Sequence, residues 1–494
     1  MADNIFEEIK ELTLHGLKEL NVEGAAISVV KDGEILFAEG FGYADKDSQI
    51  PMTGEHVLPI ASSSKAFTAT CAAILAGEGK LDFDKPVREY MPDFGLYDPV
   101  ASNAVTARDL LCHRTGMPRH DLLWINWEDI SRDDLVFRRL RHLPNNKSFR
   151  SVWQYQNFMY AAAGCLVERI TGKKWEEFVR ERIFSPLGMT SSSFGQEPKN
   201  PDLLYSVLYK PDKDGENREC KPESVEAIGP AGSIRSTARD MANWLKFNLA
   251  GGKFGDNAIL SEKTFPELQK PNIPYDLFPF SVAEVQQIGY GMGWFIDSFR
   301  GERRVEHGGN LSGATILISM LPERNIGCAI LTNADSSTLT YALACSIYDI
   351  FLGRAGEKDW IAFYKEKLDE MKKQSDAGIE KFYSGKVPDK PMLHEGREYA
   401  GVYTHPGYGD LSVMFDESAA DMEKCLTMDF HNNMFPLTHM HYDIFYVSMH
   451  DMPLAASFKT GVDGGVESLS VQFEPGMEEF ITFKRVQDET ERKT

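Results

Sequence analysis

Cysteine is scarce and unpatterned. The seven in 494 residues, at 71, 112, 165, 220, 328, 345 and 425, include no Cys-x-x-Cys pair and are odd in number. Neither a disulfide framework nor a thiolate zinc site has support, and reduced thiols in a cytoplasmic protein are the simplest account. Basic side chains are in the minority, 53 against 74 acidic ones, for a net charge of -21. That balance excludes nucleic acid as an expected partner, because phosphate binding wants a positive surface. No uncharged apolar run approaches the ~20 residues of a membrane span. The stretch from Met1 to Glu8 lacks the basic and apolar regions of a signal peptide. Also missing are a Gly-x-Ser-x-Gly elbow, a phosphate-binding loop and, beside His394-Glu395, the second histidine of a zinc-protease helix. His439 and His441 stand at ligand spacing with no third ligand nearby and read as structural.

What is present is an ordinary globular composition, 42% hydrophobic and 26% charged, in a chain long enough for two or three domains. Residues 5 to 20 carry Ile5, Ile9, Leu12, Leu17 and Leu20 among charges, an amphipathic helix pattern. Two apolar runs around Asp32-Gly33 then predict a hairpin with a type I′ turn. A helix follows from Ser62 to near Gly77. Thr106 to Asp109 reads as a capping box whose helix stops at Gly116. Further helices are expected from Asn157 to Gly172 and from Trp175 to Ile183, so that residues 80 to 245 are mostly helical. Strands are expected at 292–296, 314–318 and 327–331, the last two as antiparallel neighbours, followed by a helix from Leu339 to Leu352. A charged helix from Trp360 to Lys373 leads into period-two alternation at 411–415, 426–430 and 480–483.

The expected fold class is therefore α/β in the α+β sense. Both ends of the first domain build one antiparallel sheet flanked by helices, an all-helical subdomain is inserted between them, and a C-terminal all-β barrel follows. The expected divisions are 1–355, a helical connector at 356–395, and the barrel at 396–494.

Within this frame Ser62-Ser63-Ser64-Lys65 places a hydroxyl and an amine three residues apart at a helix start. Residues i and i+3 share a helix face, so Lys65 is placed to take a proton from Ser62 if its ammonium is destabilised. The helix end also aims backbone N–H groups at developing negative charge. The bland alternative is a Ser-rich cap followed by a solvated lysine. Tyr155-Gln156-Asn157 adds a phenol that a neighbouring cation would turn into a phenolate, and an amide that can donate and accept at once. His307-Gly308-Gly309-Asn310 adds a histidine able to share a proton with the tyrosine or meet a leaving group. Its glycines would let a substrate backbone approach.

In this order the three stretches resemble the serine β-lactamase and penicillin-binding-protein superfamily, in the branch similar to class C β-lactamases, D-aminopeptidases and esterases. Leu110 to Pro118, Pro230 to Asp240, Tyr290 to Trp294 and Pro322 to Asn333 match as well. The resemblance implies Ser62 as nucleophile, Lys65 and Tyr155 as the proton-transfer pair, Asn157 as the positioning amide and His307 at the third motif. It also implies an oxyanion hole from the backbone N–H groups of Ser62 and Asn310, with Gly308 and Gly309 lining the substrate. No cofactor and no metal is implied. His307 stands where the lactamases carry lysine, which favours amides, small peptides with D-residues, or esters over penicillins. The tail resembles a lipocalin-like domain, which in relatives shapes the site or supports homo-oligomers. An esterase, an acyl transferase or peptide-releasing thioesterase, and a catalytically inactive binding module remain as alternatives. The expected partner is a small-molecule or peptide substrate, with no membrane.

Overall fold

The computed structural model describes residues 2–127, 129–195, 197, 199–276, 281–419, 425–450 and 452–486. The end of the expected barrel domain, 487–494, lies outside them. The first layer is an all-antiparallel sheet of eight strands. Its order is Val285–Tyr290, Phe295–Phe299, Glu302–Leu311, Ala314–Leu321, Ile326–Thr332, Gly24–Lys31, Glu34–Asp45 and Ile50–Pro51. The N-terminal hairpin thus joins strands from residue 285 onward through the pair Ala25 to Thr332. Asp32 and Gly33 both have positive φ, 53° and 82°, which a type I′ turn requires.

Helices cover both faces. Ala2–Glu19 and Leu339–Phe351 pack on one, with Trp360 and Tyr364 completing that core. The other face takes Ser64–Gly77, Asn157–Thr171 and Ala238–Leu249. Ser64–Gly77 is buried at every position from 64 to 75, so its period gives no solvent face. Asn157–Thr171 ends on Gly172 in the left-handed region, φ 71°. Gly164 inside it makes room for Pro230, whose ring a Cβ would strike.

The structure corrects several expected boundaries. The Thr106 capping box forms, but its helix is only Ala107–Leu111, because His113 and Gly116 take positive φ and turn the chain. The 292–296 run straddles a turn between two strands, and Val285–Tyr290 is an edge strand that its weak alternation hid. The helical insertion also holds a two-stranded ribbon, Leu208–Pro211 with Asn217–Cys220, and a three-stranded patch of Leu58–Pro59, Ile234–Ser236 and Ser193–Phe194. The charged helix continues to Ser384.

Eight further strands form a closed antiparallel barrel, from Gly401–His405 to Ile481–Arg485, whose first and last strands pair at Tyr403 and Arg485. Closure removes the sheet edges. One barrel end abuts the helical insertion: His431 stacks on Trp127 at 3.8 Å between ring centroids. The Asn433 side chain donates to Asn126 O at 2.9 Å. His439 and His441 share a strand interrupted by a bulge between them. Each has a backbone partner, Tyr442 O and Val387 N respectively. All seven cysteines are thiols outside any disulfide.

Candidate active site

Three elements converge where the sequence placed its three motifs. A single turn at Ala61–Ser63 opens the Ser64–Gly77 helix, and Ala61 has φ 46°, left-handed backbone that a β-carbon disfavours. The turn divides the serine run by direction. Ser62 is half-buried, whereas Ser63 donates to His307 O at 3.0 Å and Ser64 Oγ accepts from Ile234 N at 3.1 Å. Ser63 and Ser64 therefore tie the turn to its neighbours and cap nothing.

Lys65 is fully buried. Its Nζ lies 3.1 Å from Ser62 Oγ, 2.8 Å from Asn157 Oδ1 and 2.9 Å from Ala231 O. Burial pushes its pKa well below the ordinary lysine range, Arg119 adds to the fall and Asp121 opposes it. A neutral amine has two hydrogens and one lone pair. Asn157 Oδ1 and Ala231 O can only accept, so in the neutral form the two hydrogens go to them and the lone pair is left toward the Ser62 hydroxyl. Asn157 is turned this way by Asp121, whose Oδ1 accepts from Asn157 Nδ2 at 2.9 Å. The reverse orientation would set a carbonyl against a carboxylate.

The Tyr155 ring lies under Lys65 Nζ at 4.7 Å, and Ser62 draws its phenol pKa down. The expected phenolate does not form. Burial pushes the phenol up more than Ser62 and Arg119 pull it down. Gln156 caps the following helix through Phe158 N, and its amide donates to Pro118 O at 2.6 Å. His113 accepts Gln156 N–H at 3.1 Å.

His307 lies in the Glu302–Leu311 strand itself and is 1% exposed. Its Nδ1 is 2.7 Å from Gly308 O and so carries the hydrogen, leaving Nε2 to accept from Tyr290 OH at 3.1 Å. Burial and Lys65 push its pKa down to about 3, so the ring is neutral. Its ring is 6.5 Å from that of Tyr155. The glycines serve the protein's own packing. A Cβ on Gly309 would meet Ile60 O at 2.4 Å and Ser62 N at 2.8 Å, and one on Gly308 would meet Tyr341 OH at 3.1 Å. Asn310 is exposed, and the strand pairs with its Phe295–Phe299 neighbour only as far as Glu306. Residues 307 to 311 therefore have one edge outside that pairing.

Ala231, Tyr290, Arg119, Asp121 and His113 had no role assigned from sequence. Four of the five sit in or beside the flanking stretches that the resemblance matched, and that was the only signal for them. Among the described residues one acidic and thiol group, Asp133, Cys165 and Glu168, has metal-ligand spacing, but Arg132 neutralises Glu168 at 3.0 Å.

A family model described as Beta-lactamase matches residues 3–343, and a Domain of unknown function (DUF3471) matches 386–485. The unguisins hydrolase ungD' of Aspergillus campestris (strain IBT 28561) is 27% identical over 524 residues, covering 99% of this chain and 93% of that protein. Among solved structures, the octameric penicillin-binding protein homologue from Pyrococcus abyssi superposes with a TM-score of 0.64. Its identity is 23%, over 97% of this chain and 100% of the other. The D-amino acid amidase from Ochrobactrum anthropi SV3, complexed with L-phenylalanine amide, gives a TM-score of 0.59 at 24% identity, over 74% and 99%. These two likenesses are of fold.

Proposed function

The chain belongs to the beta-lactamase family, whose serine hydrolase character it shares, and from that premise we propose that it is an amidase or peptidase. It would act on small amides or peptides, D-residues included, through an acyl-enzyme on Ser62. The carrying observation is the buried Lys65, its pKa pushed well down, whose Nζ meets Ser62 Oγ, Asn157 Oδ1 and Ala231 O. Ser62 Oγ attacks the substrate carbonyl as its proton passes to Lys65. The backbone N–H groups of Ser62 and Asn310 receive the oxyanion. Tyr155, held as a phenol, donates to the departing amine and is reprotonated from Lys65, and water then resolves the ester by the reverse path. Asn157 positions Lys65. His307 with Tyr290 positions the third wall, with Gly308 and Gly309 beside the substrate's path.

A hydrolase is supported by a likeness to a hydrolase of unguisins, and an amide substrate is in keeping with the fold shared with a D-amino acid amidase. A penicillin is disfavoured because the neutral His307 offers no cation to a carboxylate. The catalytic unit is proposed as 1–355, joined by 356–395 to the barrel at 396–494. The test is a panel of D- and L-aminoacyl amides, short-chain esters and a β-lactam on wild type and Ser62→Ala. The expected result is amide turnover lost in Ser62→Ala. Preference for esters, or diversion of product by added amine, would move the assignment to esterase or acyl transferase. A wild type that takes no fluorophosphonate or penicillin adduct, read by intact mass, would make it a binding module.

A further inference from the structure

The segment Arg119-His120-Asp121 touches the site at both ends. The Arg119 guanidinium lies over the Tyr155 ring, 4.9 Å from its centroid, while its side chain stays 54% exposed. Asp121 accepts from Asn157, from Trp124 Nε1 at 2.7 Å and from Arg119 Nε at 2.5 Å. Between them His120 takes φ 50°, a conformation that persists in a non-glycine residue only where the surroundings hold it.

Much of what holds it comes from the barrel. Tyr408, in the turn after the first barrel strand, donates its hydroxyl to His120 Nδ1 at 2.7 Å, and His120 Nε2–H donates to Pro144 O at 3.1 Å. Glu474, between the last two barrel strands, faces the backbone N–H of His120, which draws its carboxyl pKa down. It is 9% exposed. The two barrel residues are held together, since Phe473 stacks on Tyr408 at 5.3 Å and 20°. Gly476 O accepts from Asn146 on the catalytic side at 3.1 Å.

We propose that the barrel is a working part of the active site: Tyr408 and Glu474 are positioning residues that clamp Arg119-His120-Asp121, and through it fix Tyr155 and Asn157. The clamp rests on the reading of Ser62, Lys65, Tyr155 and Asn157 given above. The charged and titratable groups facing Glu474 are Asp121, Arg119, His120 and Tyr408. Burial and Asp121 push its carboxyl up to about 7, with the His120 N–H and Arg119 opposing. His120 is held neutral by burial, pushed down to about 4. Loss of either barrel contact lets the strained residue relax, and Asn157 then loses the acceptor that orients it toward Lys65.

The experiment uses the full chain with two readouts. The first is the rate of fluorophosphonate labelling, together with kcat and KM on the amide that wild type turns over best. Tyr408→Phe and Glu474→Gln are expected to label Ser62 completely but about tenfold more slowly, with kcat falling in parallel and KM nearly unchanged. Glu474→Asp should recover most of the rate. The second readout does not need activity: the Trp124 indole N–H resonance, assigned by Trp124→Phe, reports where Asp121 lies and should shift in both barrel variants. Wild-type labelling rates, or an unmoved indole resonance in both variants, would overturn the clamp. Absence of label on wild type would instead overturn the Ser62 assignment and leave the clamp to be decided by the resonance.

Discussion

Lys65 is an amine at zero exposure with two carbonyl oxygens and one hydroxyl around it. Lys65→Arg keeps the positive form permanently and removes the lone pair. The rate of fluorophosphonate labelling is expected to fall by roughly 10²- to 10⁴-fold, the range of a lost general base. In wild type the same rate should fall on acidification, as Lys65 takes up its proton and the base is lost. Glu474 gives a second, opposite pH signature. Its folded pKa of about 7 lies above the unfolded value of about 4.3. The stability it contributes is thus complete below the lower value and lost as pH rises through the upper one. Wild type should lose stability relative to Glu474→Gln between about pH 4.3 and 7, read as the difference in melting temperature across that range.

Two glycines separate site geometry from helix stability. Gly309 lets the Glu302–Leu311 strand press against the turn that carries Ser62, and the atoms a Cβ would meet, Ile60 O and Ser62 N, are backbone that cannot swing aside. Gly309→Ala should displace the turn and cost about a hundredfold in labelling rate, the scale of a 1 Å misplacement. Gly172 has open space around its Cβ position and φ 71°, so its alanine variant meets only backbone strain. Gly172→Ala is expected to lower unfolding stability by ~1 kcal/mol in denaturant titration, with activity unchanged. The contrast follows from what each element touches: the strand borders the nucleophile, whereas the helix end faces open space. The helix boundaries legible in sequence were those with a local stop signal, such as Gly172. The Ala107–Leu111 helix ended early because His113 turns there to receive Gln156 N–H, a partner 43 residues away.

The catalytic unit and the barrel meet through aromatic stacking and side-chain hydrogen bonds, Trp127 on His431 and His120 with Tyr408 among them. Such an interface couples their unfolding. Calorimetry of the whole chain should show one transition, and Trp127→Ala should split it in two, since this partly buried aromatic pair contributes about 0.5–1.5 kcal/mol beyond its area. A single unsplit transition in that variant would mean the coupling lies elsewhere along the interface. Period, caps and short spacings were sufficient to indicate a sheet built from both ends of the first domain and a barrel after it, whereas the meeting of Ser62, Lys65, Tyr155, Asn157 and His307 was what the family resemblance implied. Each of those signals is local, a period, a cap or a short spacing, and survives without knowledge of distant neighbours. The protonation states ran the other way. That Lys65 is pushed well down, His307 is neutral and Tyr155 is pushed up follows from burial, and burial is a property of the packed whole. The same holds for Asp121 orienting Asn157 and for Tyr408 reaching His120 across 288 positions of chain. Sequence spacing carries no record of such pairs, because only the folded sheet, insertion and barrel bring them within hydrogen-bond distance.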